Sequence, residues 1–352
     1  MPDPHTAPKT DQDRGGQVAA CVERAARNVR DILTHAIQHT PQRAAVVVSD
    51  GHCGLSRLLA AAYRVALPDA AHLDFDAVPP EEVLRSFAAL QAGDLVVLIQ
   101  SKSFRLEAFR IRIDLFKRGL KVIEHPHLFR MAEDEYDVYV DSLAYDPAYY
   151  RGLGHALKAR IDRASGAVVD SGGEQLVYES PFEEAKLNIG DYTTLKNVGG
   201  QFPIGEVFTE ARDLERVNGR VRIFMFGDNE FRANAPAHPI TLVIERGRVT
   251  GVVDSTPHFD EVLAKISADE ELWVRELGFG MNRAFTRTRR VSDVGTYERM
   301  CGVHLSLGAK HGVYNKPVVK RKEAKYHVDV FPVTQQVLLD GDVVFADDAW
   351  KV

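Results

Sequence analysis

The sequence predicts an α/β fold in which an N-terminal parallel βαβ domain of Rossmann-like type precedes a mixed, mainly antiparallel, β-rich domain. In the first half of the chain, strand and helix patterns alternate at the spacing that βαβ units produce. Near residue 165 the composition changes, and strand patterns punctuated by glycine take over. We therefore predict a disordered tail over residues 1–14, an α/β domain over residues 15–165 and a β-rich domain over residues 166–352.

The α/β pattern consists of apolar runs that predict buried strands and of amphipathic runs that predict helices. Strands are predicted at residues 44–49, 94–100 and 121–124, and helices at residues 15–39, 55–66, 80–91 and 103–119. Ser103 is a suitable N-cap for the last of these helices, and Gly119 is a suitable stop. Helical segments thus separate the strands, as the crossovers of a parallel sheet require.

Two segments of the second half have the pattern of β-hairpins. Residues 238–253 (HPITLVIERGRVTGVV) are predicted to turn at Arg246-Gly247, and residues 336–345 (QVLLDGDVVF) at Asp340-Gly341. Glycine suits such two-residue turns because their central residues adopt positive φ angles. The second domain is therefore expected to be mainly antiparallel.

The composition is typical of a globular protein in water. The chain has 352 residues, 45% hydrophobic and 27% charged, which is enough for about two domains. No run approaches the roughly 18 apolar residues of a membrane span, and the polar N-terminus lacks a signal-peptide pattern. We therefore expect a cytoplasmic protein without a membrane partner. The net charge of −6 argues against a nucleic-acid partner, because such proteins usually carry a basic excess.

Two further features bear on compartment and binding. Cys21, Cys53 and Cys301 are far apart and lack CxxC spacing, which predicts free thiols in a reducing compartment. The basic run Lys316–Lys325 (KPVVKRKEAK) is either a solvated loop or a site for an acidic group.

Three motifs of the first half have weak functional signals. The turn DGHCG (50–54) follows a strand and precedes a helix, but it lacks the glycine spacing of a phosphate-binding loop. His52 and Cys53 are adjacent on this turn, where side chains rarely face each other, so a base and nucleophile pair is not expected. His125 and His127 flank a proline and fit either a metal site or a surface loop. We favour structural roles for all of them.

The second half carries potential metal ligands in four apolar or glycine-rich segments. In the segment KYHVDVF, a strand would place His327 and Asp329 on one face, because side chains alternate with a period of two. The other candidates are Glu206 in FPIGEVFTE, Glu276 in VRELGFGMN, and His304 and His311 in GVHLSLGAKHG. Taken singly, each has an ordinary explanation: an exposed carboxylate or a hydrogen-bonded core histidine. Their joint occurrence favours a metal site.

Carboxylates and imidazoles on separate strands are natural ligands for zinc, cobalt, manganese or iron(II). Two divalent ions require about this many ligands, and a pair of ions activates water for hydrolysis. A single Fe(II) requires fewer ligands, because two histidines and one carboxylate form a triad with open positions for oxygen. His304, His327 and Asp329 satisfy that count as well.

The four segments, in this order, resemble the metal-binding motifs of the aminopeptidase T and aminopeptidase S family of metallopeptidases. The matching stretches are PIGEVFT (203–209), ELGFGMN (276–282), HLSLG (304–308) and HVD (327–329). The resemblance covers roughly residues 195–346, and an ordered set of four motifs is far more specific than any one of them.

This resemblance implies metal-ligand roles for Glu206, Glu276, His304, His327 and Asp329. It also implies a peptide substrate, a homodimer and catalytic roles for Glu206, His311 and Tyr314. The family often has a tyrosine at the position of His311, so His311 departs from the pattern and Tyr314 is a nearby substitute. Glu210 is a candidate for a group that supports the ligands, and Arg283, Lys316 and Lys320 are candidates for binding a substrate carboxylate.

The 2,5-dihydroxypyridine dioxygenases resemble the chain too. They share the hairpin pattern found here as TLVIERGRVTG (241–251), the G-x-G segment and the final H-x-D. They hold one iron, have a histidine at the position of Glu276 and lack the histidine that matches His304. Because this chain keeps both ligands, the peptidase is the better match, although the length of the chain is closer to that of the dioxygenases.

Three functions therefore stay open. The favoured one is a metal-dependent, aminopeptidase-like amide hydrolase that acts on a peptide and uses a metal-activated water as nucleophile, with two ions of zinc, cobalt or manganese. The alternatives are a mononuclear iron dioxygenase with one Fe(II), and a non-catalytic peptide-binding protein of a tailoring pathway on the same scaffold.

Overall fold

A computed structural model of the protein describes residues 11–104, 106, 111–319 and 324–352. The chain divides into two compact units, which comprise Met1–Tyr145 with Tyr192–Phe202, and Asp146–Asp191 with Pro203–Val352. The first unit has a parallel sheet with helices, and the second has a large antiparallel sheet, so the predicted mixed α/β class is confirmed. No helix in the described ranges is both long and apolar enough to cross a membrane.

The elements are numbered here in chain order. The α-helices are α1 (Asp11–Asp31), α2 (Gly54–Ala66), α3 (Pro80–Ala88), α4 (Ile111–Lys117), α5 (Tyr136–Ser142), α6 (Pro147–Ile161), α7 (Pro257–Ser267) and α8 (Val294–Tyr297). The strands are β1 (Ala45–Ser49), β2 (Ala71–Asp74), β3 (Leu95–Ile99), β4 (Lys121–His125), β5 (Ala167–Asp170), β6 (Gln175–Tyr178), β7 (Lys186–Asn188), β8 (Gly199–Gln201), β9 (Glu206–Glu210), β10 (Val217–Gly227), β11 (Ala233–Asn234), β12 (Ile240–Glu245), β13 (Arg248–Val253), β14 (Val274–Gly280), β15 (Gly302–Leu307), β16 (Val328–Pro332), β17 (Gln336–Leu339), β18 (Asp342–Ala346) and β19 (Ala349–Trp350).

The first unit is built on a parallel sheet with the strand order β2-β1-β3-β4-β8. Every residue of β1 and β3 is buried, as expected for parallel strands that are covered on both faces. The three strands predicted in this half are confirmed, with ends that differ by a residue or so. The predicted helices at 55–66 and 80–91 are confirmed as α2 and α3.

The other two predicted helices differ from the structure at their ends. The first is present as α1 followed by a π-helical turn at Ile32–Ala36, and it begins at Asp11, whereas residues 1–10 of the predicted tail lie outside the described residues. The helix predicted at 103–119 is described only over α4, and residues 105 and 107–110 lie outside the described part. Ser103 as its N-cap is wrong, because the Phe104 amide donates to the side chain of Gln100 in a non-helical segment. Gly119, with φ of +72°, ends the helix as predicted.

The turn DGHCG has a structural role at the start of α2. Cys53 is the N-cap residue, and its sulfur accepts the N–H of Ser56 at 3.4 Å. His52 lies on the surface with Nε2 3.1 Å from Oδ1 of Asp76, and makes no contact with the cysteine sulfur among the described contacts. These positions favour the structural interpretation of the motif.

His125 is a core residue of the first unit. Its Nε2 lies 2.8 Å from the hydroxyl of Tyr63, and its Nδ1 lies 2.9 Å from the hydroxyl of Tyr139. The ring is fully buried, and burial lowers the pKa of His125 to about 3. The motif EHPH therefore supplies a neutral core imidazole at its first histidine.

We predict that His125 makes the folded protein sensitive to acid. The imidazole stays neutral in the folded chain but takes up a proton in the unfolded chain below about pH 6.5, so stability falls as pH decreases. This contributes a loss of about 2 kcal/mol in the free energy of unfolding between pH 7 and pH 5. Urea unfolding at both pH values should show a smaller loss for His125→Gln than for the wild type. Equal losses would contradict the prediction.

The second unit contains a sheet of 14 strands, all paired antiparallel. Its main order is β19-β18-β17-β5-β6-β10-β16-β15-β14-β9-β7, and the long strand β10 also pairs with β11 and β12. Both predicted hairpins are confirmed as β12-β13 and β17-β18. Their turn residues Arg246, Gly247, Asp340 and Gly341 have φ angles of 49°, 73°, 49° and 90°. Positive φ at both central residues is the geometry that such turns require.

Candidate metal centre

The candidate metal centre lies on one face of four neighbouring strands, β9, β14, β15 and β16. Residues directly opposite each other in an antiparallel pair point to the same face. The register places Gly280 opposite Glu206, Gly278 opposite both Phe208 and His304, Glu276 opposite Glu210, and Asp329 opposite Ser306. Sheet pairing therefore brings the four predicted segments onto one surface.

Three side chains form the centre of this surface. Glu206, Glu276 and His304 each offer one ligand atom, and these atoms all lie within 4.8 Å of one another. Nε2 of His304 is 3.4 Å from Oε1 of Glu206 and 3.4 Å from Oε1 of Glu276. The three residues are only 4%, 8% and 1% exposed, so they form a buried group of mixed oxygen and nitrogen donors.

Two more histidines and an aspartate surround Glu276. Nε2 of His311 is 3.1 Å from Oε2 of Glu276, and Nε2 of His327 is 4.0 Å from the same oxygen. Nε2 of His327 is also 3.1 Å from Oδ1 of Asp329, so these two residues share one face as the sequence pattern predicts. His327 has the most exposed side chain of the group, at 30%, and so lies where solvent reaches the cluster.

The hydrogen bonding of the cluster is incomplete in a way that fits a cation. Oε1 of Glu206, Oδ1 of Asp329 and both ring nitrogens of His304 are buried and have no hydrogen-bond partner within the described part of the chain. A buried polar atom without a partner costs about 1–3 kcal/mol. Carboxylate oxygens and imidazole nitrogens are the preferred ligands of divalent transition metals, so these residues fit such an ion.

The electrostatics of the cluster favour positive charge. Burial alone would raise the pKa of Glu276, but the neighbouring imidazoles of His304, His327 and His311 lower it to about 2. Burial would lower the pKa of His304, yet the surrounding carboxylates raise it to about 9. The same balance raises the pKa of His327 to about 10, chiefly through Asp329. The carboxylates therefore favour protons on these imidazoles, and a metal cation that binds the ring nitrogens has to displace those protons.

A second set of contacts orients the histidines. Arg275 forms a buried ion pair with Glu210, and Oε2 of Glu210 lies 3.7 Å from Nδ1 of His311. Nδ1 of His327 lies 3.0 Å from the carbonyl oxygen of Lys310. For His327 this is the usual arrangement of a metal-binding histidine, in which one ring nitrogen is hydrogen-bonded to the surroundings while Nε2 faces the centre. Nδ1 of His311 is buried beside Glu210 without a hydrogen-bond partner in the described part of the chain.

Gly278 makes room for the imidazole of His304. A Cβ atom at this position would lie 2.0 Å from Cε1 and 2.3 Å from Nε2 of His304. Any side chain at position 278 would therefore displace the ring, which crosses the strand directly over the glycine. The first glycine of the motif ELGFGMN has a steric role that its spacing alone does not reveal.

Glu270, at the turn after α7, fixes both ends of the loop that carries His311. Its Oε1 accepts the N–H groups of Ala309 and Tyr326 at 2.7 and 3.2 Å, and its Oε2 accepts the N–H of Lys325 at 2.7 Å. One carboxylate thus holds together the start and the end of the connection between β15 and β16. This connection includes His311 and ends next to His327.

We predict that Glu270→Ala weakens divalent-cation binding by about tenfold, because the loop ends separate and both histidines lose their positions. Isothermal titration with Zn²⁺ measures the affinity. Glu271→Ala is the matched control, since the Glu271 carboxylate pairs with Arg248 on the surface at 3.0 Å. Equal affinities of the two variants would contradict the prediction.

The other predicted site residues lie around the cluster or away from it. The hydroxyl of Tyr314 donates to the carbonyl oxygen of Glu184 at 2.7 Å, and its ring lies 5.3 Å from that of His311, so its proposed catalytic role stays a prediction. Lys316 is buried, and its Nζ donates to the carbonyl of Ala211 at 2.6 Å and pairs with Glu183, so it is neither solvated nor free to bind a substrate.

The remaining basic candidates contribute less. Arg283 is exposed, and its guanidinium lies 3.9 Å from the ring centroid of Tyr149. Lys320 and the middle of the run Lys316–Lys325 lie outside the described residues. At the end of this run, Lys325 pairs with Asp269 at 2.8 Å.

Sequence reasoning missed three residues that shape the centre. Arg275 lies directly before Glu276 in the segment VRELGFGMN, whereas Glu270 and Arg299 lie in none of the four segments, and no sequence pattern distinguishes these three charges from others. Burial raises the pKa of Glu206, and the buried guanidinium of Arg299 counteracts part of this rise. Arg299 itself pairs with Glu298. Arg275 thus holds Glu210, Arg299 acts on Glu206 through its charge, and Glu270 holds the loop that carries His311.

No protein-family model matches the sequence, and neither does any curated protein. The structure is similar to that of 2,5-dihydroxypyridine dioxygenase from Pseudomonas putida, with a TM-score of 0.63 and 15% identity over 95% of this chain and 97% of the other. It is also similar to AmpT from Thermus thermophilus, with a TM-score of 0.57 and 14% identity over 94% and 99% of the two chains.

This chain shares their fold. The resemblance inferred from the motifs is thereby confirmed for the architecture. Identities of 14–15% do not extend the likeness to the chemistry, because one fold can host unrelated activities.

Proposed function

We propose that the protein is a metal-dependent amide hydrolase that acts on peptides in the manner of an aminopeptidase. The observation that supports this most is the buried group of Glu206, Glu276 and His304, whose ligand atoms lie within 4.8 Å of one another. Its carboxylate content is high, with Asp329 close by, and carboxylates suit a pair of divalent ions because one carboxylate can bridge both. AmpT, an aminopeptidase, is one of the proteins that share the fold.

In this function, five side chains would bind the metal and His311 would transfer protons. Glu206, Glu276, His304, His327 and Asp329 would hold zinc, cobalt or manganese, which lowers the pKa of a bound water and polarises a carbonyl group. His311 would move protons at Nε2, since this atom lies beside Glu276 while Glu210 lies beside the other ring nitrogen. The half-exposed side of the cluster, at His327, would admit the peptide.

A second candidate function is that of a mononuclear iron dioxygenase. His304, His327 and Asp329 provide two imidazoles and a carboxylate, the set that non-haem Fe(II) oxygenases use. The dioxygenase from Pseudomonas putida also shares the fold. Glu276 weighs against this function, because its Oε2 lies 3.1 Å from His311 and 4.0 Å from His327 and it adds a carboxylate that a triad does not need.

Reconstitution with defined metals tests the proposal. The protein is freed of metal with a chelator, reloaded with Zn²⁺, Mn²⁺, Co²⁺ or anaerobic Fe²⁺, and given a panel of dipeptides and amino-acid amides. We expect hydrolysis with at least one of the first three ions and none for Glu276→Gln. The exposed Glu261→Gln serves as the control for a charge change elsewhere.

Other outcomes assign the other functions. Oxygen consumption with a dihydroxypyridine, dependent on Fe²⁺ alone, would establish the dioxygenase instead. Peptide binding without turnover and without bound metal would establish a non-catalytic peptide-binding protein. A homodimer and a cytoplasmic location stay predictions of the sequence.

A further inference from the structure

A strongly basic segment directly follows the motif ELGFGMN at the end of β14. Residues 283–290 (RAFTRTRR) contain four arginines and no acidic residue, although the whole chain has a formal net charge of −6. Of these four arginines, only Arg283 is a candidate from the sequence for binding a substrate carboxylate. Such a local excess of positive charge indicates a place where an anion is attracted.

Two of these arginines lie over an aromatic ring. The guanidinium carbons of Arg287 and Arg290 are 5.7 and 5.2 Å from the ring centroid of Phe224, which is itself only 6% exposed. Nε of Arg290 donates to the carbonyl oxygen of Arg287, which ties the two residues together. Neither guanidinium forms an ion pair with any residue in the described ranges.

The same residues line a cavity of about 460 Å³. Its walls contain two guanidinium groups, two threonine hydroxyls, one aromatic ring, one thiol and one carboxylate, from Arg287, Arg290, Thr286, Thr288, Phe224, Cys301 and Asp348. The volume is in the range of small-molecule sites, which is about 300–1,000 Å³. The cavity thus combines unpaired positive charge, hydrogen-bond donors and an apolar surface.

We propose that this cavity binds a small organic carboxylate. The planar guanidinium groups of Arg287 and Arg290 match the geometry of a carboxylate and bind it through charge-assisted hydrogen bonds. The threonine hydroxyls add donors beside them, and the ring of Phe224 provides an apolar contact for the body of the ligand. Asp348 provides an acceptor for a hydroxyl or amino group of the same ligand.

This site is separate from the proposed function. It uses none of the residues of the metal cluster, and its occupancy can be measured whether or not the protein hydrolyses peptides. If the metal centre binds no cation, the cavity can still bind a carboxylate. If the cavity binds no carboxylate, the metal centre can still bind a cation.

Isothermal titration of the full-length protein with sodium benzoate tests the proposal. Benzyl alcohol, which has the same ring without the charge, and inorganic phosphate, which has the charge without the ring, are the comparison ligands. We expect benzoate to bind at least about tenfold more tightly than either, because the site provides both the guanidinium pair and the aromatic floor. Equal binding of benzyl alcohol or of phosphate would overturn the assignment to an organic carboxylate.

Substitutions locate the binding. Arg287→Ala with Arg290→Ala should weaken benzoate binding by about tenfold or more, and Arg287→Lys with Arg290→Lys should recover only part of it, because lysine keeps the charge but not the planar fork. Arg232→Ala, at an exposed arginine outside the cavity, is the matched control. Benzoate binding that survives the double alanine substitution would overturn the proposal, since the ligand would then occupy another site such as the metal centre.

Discussion

Replacing Glu276 by glutamine is expected to weaken divalent-cation binding by about 100-fold or more, because it removes a ligand charge from the middle of the cluster. Glu276 is the residue that the other groups share: the Nε2 atoms of His304, His311 and His327 all lie within 4.0 Å of its carboxylate. Glutamine keeps the shape and burial of the side chain but removes the negative charge that attracts the cation. Titration calorimetry with Zn²⁺ or Mn²⁺ measures the change directly.

The control for this substitution is Glu261→Gln, which removes a carboxylate whose side chain is 79% exposed. It should leave the affinity as it is in the wild type. A thermal unfolding series gives a second readout, because a cation that binds only the folded chain raises the melting temperature with its concentration. The rise should disappear in Glu276→Gln and persist in Glu261→Gln. Unaltered cation binding by Glu276→Gln would contradict the assignment of the centre.

Gly278→Ala is expected to be as damaging as the loss of a ligand, although only a methyl group is added. The new Cβ would lie 2.0–2.6 Å from three ring atoms of His304, so the imidazole has to move. His304 is 1% exposed and packed in the sheet, and such overpacking costs about 1–3 kcal/mol of folding free energy. Urea unfolding and Zn²⁺ titration should therefore both show a loss.

A double substitution shows whether the clash with His304 causes the loss of stability in Gly278→Ala. His304→Ala alone should abolish tight cation binding, and Gly278→Ala added to it should cost little further stability, because the clashing ring is gone. Gly251→Ala is the matched control, since a Cβ there would lie 3.5 Å from its nearest neighbour, an ordinary contact. If Gly278→Ala destabilises the protein equally with and without the imidazole, the clash with His304 is not the cause.

Much of the fold could be predicted because its signals are local. The hairpin turns at Arg246-Gly247 and Asp340-Gly341 need positive φ angles, and the pair of a polar residue and a glycine is enough to predict such a turn. The buried strands β1 and β3 are continuous apolar runs, which a parallel sheet requires. The helix start predicted at Ser103 was wrong, because the Phe104 amide donates to the side chain of Gln100, which is itself held by a contact distant in sequence, with Glu124 on β4.

The candidate ligands could be identified from the sequence only because four motifs occur in the order found in the resembled family. The sequence does not show how far apart in space these ligands lie. Alternation within KYHVDVF predicted correctly that His327 and Asp329 lie together. Sheet register then decided the rest, because it brought Glu206, Glu276 and His304 from three strands to one face. No pattern within a single segment contains that information.

Of the supporting groups, only Glu210 was a candidate from the sequence, and the others could not have been predicted because their partners lie far away in sequence. Glu270 bonds the amide of Ala309, 39 residues later, and the amide of Lys325, 55 residues later. Lys316 resembles a solvated charge in the sequence, yet it is buried and bonds the carbonyl of Ala211, 105 residues earlier. Only the folded chain reveals which charges bear on the centre and which hold the loop beside it.

The central claim is that Glu206, Glu276 and His304 bind a divalent cation together. Anomalous scattering from crystals grown with Zn²⁺ or Mn²⁺ tests it most directly, because the method gives the identity, number and ligands of the ions at once. We predict strong anomalous density between these three side chains, with a second ion near His327 and Asp329 if the hydrolase proposal is right. Density confined to surface histidines, with none between Glu206, Glu276 and His304, would contradict the claim.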